Sequence, residues 1–400
     1  MSFMYLSLNQ KKFILQNLHL IKKFQPEILF YVAFGSYFIA TLVGYLAFDY
    51  DKECRMFFTL FTIVSLVTYI IVSKKIAELS IIQAFFLLFF FIVSLYSNDF
   101  YMLVLVLMFI SMNDISITVI FLISYYLLFI ISIFVVVTSL VFDLFSDVQD
   151  TRASVYGYGI IRHSLGFRWS FCLPDISVYL FVYLSIFKRH FKFRSFLFFQ
   201  IISIILFVLC NSKNALIAIE MLFLLLYISN LFDTKRYIKT IFSLSIIVFP
   251  SIALISTLLL HFYVDGYEFA NVIDSFLSGR LYLVKLNAAM SPPVFFNTMS
   301  FDDFMLNCPF TTDSGYYYLL LRYGWWSLVL FTFISYKNFL FFFKVNNKYG
   351  IICFFIILLM SFIDNNFACF AFLPFYMVCF YIIKRKSKLL SVHNYGENTI

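Results

Sequence analysis

Residues 115–141 read ISITVIFLISYYLLFIISIFVVVTSLV, and no charged side chain interrupts them. A bilayer's hydrocarbon core is about 30 Å thick and a helix rises about 1.5 Å per residue, so about 20 consecutive apolar residues cross it. Within lipid every backbone N–H and C=O needs a partner inside the segment, and a helix provides one for each. The same ruler picks out further runs at about 28–48, 56–73, 80–97, 99–112, 171–187, 196–211, 214–231, 240–263, 317–336, 350–363 and 367–383. Those at 99–112 and 350–363 are short enough to be re-entrant or to share a boundary with a neighbouring run. The fold expected is all-α: one polytopic membrane domain over 1–400 with about 12 transmembrane helices.

Composition leads to the same class. Of the 400 residues 63% are hydrophobic and 12% charged, whereas soluble globular chains carry about 25% charged residues. The 58 Phe and 28 Tyr, against 3 Trp, read as lipid-facing filler rather than a stacking surface. A net charge of +8 would suit nucleic acid only if it were gathered on one soluble face. Here the basic residues stand in short clusters between apolar runs, so no nucleic-acid partner is expected. The 7 cysteines show neither CxxC nor Cys/His ligand spacing. No metal and no cofactor is expected.

Cytoplasmic loops hold the excess of Lys and Arg. Threading from a cytoplasmic N-terminus puts most of the 29 basic residues inside, including Lys74, Lys75, Lys188, Arg189, Lys344 and Lys348. Both tails, about 1–27 and 384–400, are then cytoplasmic. Lys11, Lys12, Lys22 and Lys23 interrupt the first stretch, so it reads as retained rather than as a cleaved signal. The outer side keeps Lys52, Arg55, Arg152, Arg162, Arg168, Lys213, Arg280, Lys285 and Arg322, against the general bias. Most lie in or beside two long extracytoplasmic loops, about 142–170 and 264–316. Long loops in a compact protein are functional or disordered, and the Gly, Pro, His, Arg, Asp and aromatic content here argues against disorder. Cys54 and Cys308 also fall outside, where a disulfide can form; two free thiols are the expectation.

Three outer constellations can carry chemistry. In Arg162-His163-Ser164-Leu165-Gly166-Phe167, followed by Arg168, a glycine turn lets backbone approach a ligand and arginine forks can grip phosphate oxygens. The alternative for the arginines is contact with lipid head groups. His163 can act as a base near neutral pH or simply hydrogen-bond within its loop. In Asp274-Ser275-Phe276-Leu277-Ser278-Gly279-Arg280 a carboxylate precedes an arginine across a Ser-Gly turn. Thr311-Thr312-Asp313-Ser314-Gly315-Tyr316 leads into the tenth run, which contains Arg322. Asp313 is equally well placed to cap a helix. A polar turn, Asn211-Ser212-Lys213-Asn214, completes the set; Glu220, two turns deeper, is expected to pair with an Arg or Lys and hold helices together.

In order along the chain, RHSLGF, SKNA, LSGR and DSGYYYLLLRYG, the last ending at Gly324, resemble the motifs of the Wzy-type polymerases of O-antigen and capsular polysaccharide. The resemblance covers about residues 150–330. Members of that family often continue Gly-Phe with x-His-Pro-Asn, whereas this chain has Arg168-Trp169-Ser170-Phe171; Asp175 or His163 would have to substitute. What the resemblance implies is an enzyme of the bacterial inner membrane that joins polyprenyl-diphosphate-linked repeat units on the outer face. Membrane lipid, a chain-length regulator and a flippase of the same pathway would be its partners. The catalytic candidates are then Arg162, Arg280, Asp274, Asp313 and His163, with Arg168, Lys213, Arg322, Gly166 and Gly279 holding diphosphate or glycan. An O-antigen ligase is the nearest alternative. A flippase is the second, although alternating access calls for paired halves and polar residues through the spans.

Overall fold

The computed structural model describes residues 25–47, 49–73, 81–97, 100–112, 115–142, 145, 147, 149–153, 159–188, 193–231, 257–276, 280–297, 314–363 and 373–383, with short pieces between 239 and 255. The chain is helical, as expected. Its first five helices are α1 (Gln25–Val43), α2 (Asp51–Val72), α3 (Ile81–Ser97), α4 (Tyr101–Ser111) and α5 (Ile117–Phe142). A hairpin follows, then α6 (Cys172–Lys188), α7 (Phe193–Cys210) and α8 (Lys213–Leu231). The second half holds α9 (257–264), α10 (Glu268–Phe276), α11 (Arg280–Met290), α12 (Gly315–Tyr323), α13 (Trp325–Lys344), α14 (Lys348–Ile363) and α15 (Leu373–Ile383).

Among the described residues α2, α5 and α13 are long and apolar enough to cross a membrane, and several shorter apolar helices accompany them. Their outward faces carry what a soluble protein would bury. Phe57, Phe61 and Val64 of α2, Ile130, Phe134 and Val137 of α5, and Phe198, Ile201 and Ile205 of α7 are all exposed. Apolar surface repeated at helical spacing over several helices far exceeds what a monomer leaves to water. It fits a membrane protein. The hydroxyls agree: Ser124 donates to the Ile120 carbonyl at 2.9 Å and Thr138 to that of Phe134 at 2.7 Å. The exposed Thr68 donates to Val64 at 2.8 Å, so no hydroxyl in this set needs water.

Three consecutive pairs, α1–α2, α5–α6 and α6–α7, pack antiparallel. Phe30 of α1 meets Tyr69 of α2 edge-on at 6.0 Å, Phe121 of α5 meets Tyr183 of α6 at 5.8 Å, and Phe181 of α6 meets Phe199 of α7 at 5.0 Å. In the second half α14 is the hub, with Phe354 against Phe339 of α13 at 4.9 Å and Phe375 of α15 at 4.8 Å. One end of the bundle is closed by the start of α14. Asn347 caps it by accepting from the Gly350 amide at 3.0 Å and donates to the Ile186 carbonyl of α6 at 3.3 Å. Beside it the Lys348 ammonium donates to the Ser229 carbonyl of α8 at 3.0 Å. Both acceptors lie in last helical turns, where carbonyls lack intrahelical donors.

Three expectations need correction. The stretch 142–170, read as an irregular loop, contains an antiparallel ribbon of β1 (Gln149–Ala153) and β2 (Gly159–His163), with Gln149 opposite His163 and Arg152 opposite Ile160. The run 317–336 is not one helix. It breaks at Gly324, where φ is +90° and a Cβ would lie 2.5 Å from the Val294 carbonyl oxygen. The amides of Trp325 and Trp326 are taken by the carbonyls of Val294 and Phe295, each at 3.1 Å, so the 291–297 segment wedges the helix apart. α13 then runs from the two tryptophans as a separate helix, long and apolar enough to cross a membrane. The stretch 264–316 likewise holds helices, α10 and α11.

Candidate functional site

The end of the bundle opposite Lys348 gathers the close of α1, the start of α2, the close of α5, the start of α6 and the turn from α7 to α8. The 163–168 turn ties them together. Leu165 and Gly166 take left-handed φ of +53° and +87°. A Cβ on Gly166 would sit 2.9 Å from both Ser139 and Val135 of α5, so only glycine fits beneath this turn. Its carbonyl accepts from the Ala47 amide at 3.0 Å, and the Arg168 amide donates to the Tyr45 carbonyl at 2.8 Å. The predicted glycine is therefore a packing and turn residue.

The turn's polar side chains are held as tightly. Arg168 donates to Asp51 Oδ2 at 2.9 Å and lies over the Trp169 ring at 5.7 Å, and Arg55 approaches the same carboxylate at 3.5 Å. Asp51 opens α2, where a negative charge also suits the helix dipole. Two arginines thus find a common counter-ion. Arg162 sends Nε to the Cys210 carbonyl at 3.1 Å, a cation at the close of α7 where free carbonyls collect. Lys213 opens α8 three residues later and is exposed.

Asp147 is the member that sequence reasoning missed. Its Oδ1 accepts from the amides of Ser164 and Leu165, each at 2.9 Å, and its Oδ2 lies 2.7 Å from His163 Nδ1. Partial burial pushes this carboxyl up. The His163 hydrogen bond and the two amides outweigh that and hold it below its ordinary value of 3.8. No spacing signal joins residues 147 and 163; the ribbon register does, since Asp147 stands two residues before Gln149, the partner of His163. Asp175, the alternative to His163, is buried in the first turn of α6.

Asp274 and Arg322 belong to a second neighbourhood, built on α10, α11 and α12. Asp274 is buried, and its Oδ1 accepts the Leu281 amide at 2.7 Å, capping α11. The Tyr263 hydroxyl bonds the same carboxylate, and Lys285 lies over the Tyr263 ring at 5.5 Å. Arg280 begins α11, but its side chain lies outside the described residues, as do Gly279 and Asp313. Arg322, on a helix whose nine residues are all buried, bonds the Tyr318 hydroxyl and lies over the rings of Tyr318 at 5.6 Å and Tyr323 at 5.0 Å. It is an enclosed cation in an aromatic setting.

Among the described residues Glu220 meets no cation, where a pairing with Arg or Lys was expected. It faces outward and accepts from Gln200 of α7, joining α7 to α8 by a neutral donor. Cys54 carries a free thiol, and Cys308 lies outside the described residues. Among the described residues no three His, Cys, Asp or Glu side chains gather as a metal site. Between α4, α13 and α15 lies a cavity of about 250 Å³ lined by Met102, Leu105, Phe109, Leu330, Phe333 and Phe380 among others. Compared with family models, with curated proteins and with solved structures, the chain matches none.

Proposed function

We propose that the chain is a polytopic enzyme of the bacterial inner membrane, with about 12 spans and both termini cytoplasmic, that polymerises polyprenyl-diphosphate-linked repeat units on the outer face. The observation that carries this reading is the convergence of Arg162, His163, Arg168 and the Lys213 turn on one end of an apolar helix bundle. Departure of a polyprenyl diphosphate develops negative charge on oxygen, and arginines fixed by backbone and carboxylate partners need little reorganisation to meet it. Arg162 and Arg280 are the first choices for the diphosphate. The incoming sugar hydroxyl needs orientation and a proton acceptor, for which His163, Asp274 and Asp313 are the candidates. Arg168, whose guanidinium is shared with Asp51, is better suited to holding the turn than to leaving it for a ligand. The apolar cavity suits a hydrocarbon chain, since its lining offers a polar ligand almost no partners.

The test is chain length in cells producing Arg162→Ala, with insertion checked by immunoblot of membranes. Single repeat units in place of long chains are expected. Normal-length polymer would remove Arg162 from the site. A ligase would instead leave full-length polymer on its lipid carrier, and a flippase would strand single units on the cytoplasmic side.

A further inference from the structure

We propose that Asp147 and His163 act as a dyad in which Asp147 positions the imidazole and His163 Nε2 takes the proton from the attacking sugar hydroxyl. This rests on the polymerase reading and names its proton acceptor.

Three bonds define the arrangement. Both oxygens of Asp147 are engaged: Oδ1 receives the amides of Ser164 and Leu165 at 2.9 Å, and Oδ2 faces His163 Nδ1 at 2.7 Å. A carboxylate receiving two amide donors stays ionised, so Nδ1 must carry the hydrogen of the third bond. The neutral ring then has its lone pair on Nε2. That nitrogen bonds no described residue, and the side chain is 36% exposed, so the lone pair is accessible from outside the turn. Among the described residues the charged and titratable groups around the pair are Arg162 on the same strand and Cys210 at the close of α7. A second constraint comes from the backbone. The left-handed residues Leu165 and Gly166, locked onto α5 and Ala47, fix the amides that hold Asp147, so the ring is aimed by packing rather than by a flexible loop.

In the transfer the hydroxyl O–H bond breaks, its proton goes to Nε2, and the oxygen bonds the anomeric carbon of the donor. The bond from that carbon to the diphosphate oxygen breaks with its electron pair on the leaving polyprenyl diphosphate. The imidazolium, stabilised by Asp147, returns its proton to solvent or to the departing diphosphate.

Asp147→Asn keeps the shape and the two amide bonds but can present N–H to Nδ1, which forces the ring into the Nε2–H form. Two measurements test the dyad. In membranes charged with the cell's own lipid-linked units, Asp147→Asn and His163→Gln should each slow chain extension about 100-fold or more at equal inserted protein. In histidine-labelled protein in nanodiscs, nitrogen NMR should report Nδ1–H for His163 in the parent and Nε2–H in Asp147→Asn, the signal being assigned by its loss in His163→Gln. Extension within about threefold of the parent in His163→Gln, or an Nε2–H parent ring, overturns the proposal. The two readings fail separately. Polymer of unchanged length in a strain lacking the protein overturns the polymerase, whereas loss of extension in Arg162→Ala but not in His163→Gln overturns the dyad alone.

Discussion

The turn at 163–168 and the helix α12 both hold arginines in an apolar protein, and they do it in different ways. At the turn, charge meets charge or helix ends: Arg168 and Arg55 share Asp51, and Arg162 meets the close of α7. On α12 the Arg322 guanidinium lies among tyrosines, with a hydroxyl and two ring faces around it. The first arrangement is partly exposed and anchored by backbone atoms of Tyr45, Ala47 and Cys210 and by the Asp51 carboxylate. The second is enclosed. A solvent-edge cation can exchange partners with a diphosphate at modest cost, whereas an enclosed one must break its packing first. Arg162 and Lys213 are therefore the more accessible cations, and Arg322 the more enclosed.

The comparison breaks most sharply at the glycines beside each region. Gly324→Ala should cost at least about 3 kcal/mol, because left-handed backbone and a carbonyl 2.5 Å from the new Cβ both oppose it. Loss of membrane-inserted protein on expression is the measurement. Gly166→Ala should be milder, since its closest neighbours are side-chain atoms of Ser139 and Val135, and Gly266→Ala, with open space around it, should cost only about 1 to 2 kcal/mol. Equal losses at all three would show that backbone conformation, not contact, dominates.

Arg322→Met comes next. It replaces an enclosed cation by apolar volume and leaves the Tyr318 hydroxyl to find another partner, so a loss of no more than about 2 kcal/mol is expected from thermal unfolding in detergent. If the variant is stable yet makes single repeat units, Arg322 touches substrate and the contrast with Arg162 collapses. Asp274→Ala should cost about 1 kcal/mol through the uncapped Leu281 amide, read by the same unfolding.

The smallest effect is on pH. Because the Asp147 carboxyl is held below 3.8, its contribution is complete above that value and fades as pH falls through the depressed one. Amide exchange at Ser164 and Leu165, corrected for intrinsic rates, should stay protected from pH 6 to pH 4.5 and lose protection only on further acidification.

Much of the helical layout was legible because hydropathy is a local property. The runs 80–97, 115–141 and 214–231 lie within two residues of α3, α5 and α8. The break inside 317–336 was hidden, since Tyr323, Gly324 and Trp325 leave the apolar run uninterrupted and the wedge comes from Val294 and Phe295, about thirty residues upstream. At the site, Arg162, His163 and Arg168 stood out by charge against an apolar background. Asp147 did not, because with Asp143 and Asp150 close by nothing in the sequence singles it out until a register pairs it.

The sequence by itself determined that this chain is helical and fit for a membrane, because burying backbone in lipid is a demand each segment meets alone. It also marked the turn around Gly166 by composition. Only the tertiary structure decided which carboxylate meets which cation, that Asp147 reaches His163, and that Gly324 divides a run into two helices. Those outcomes depend on atoms brought together from distant segments, and the distances between them exist only once the helices have packed.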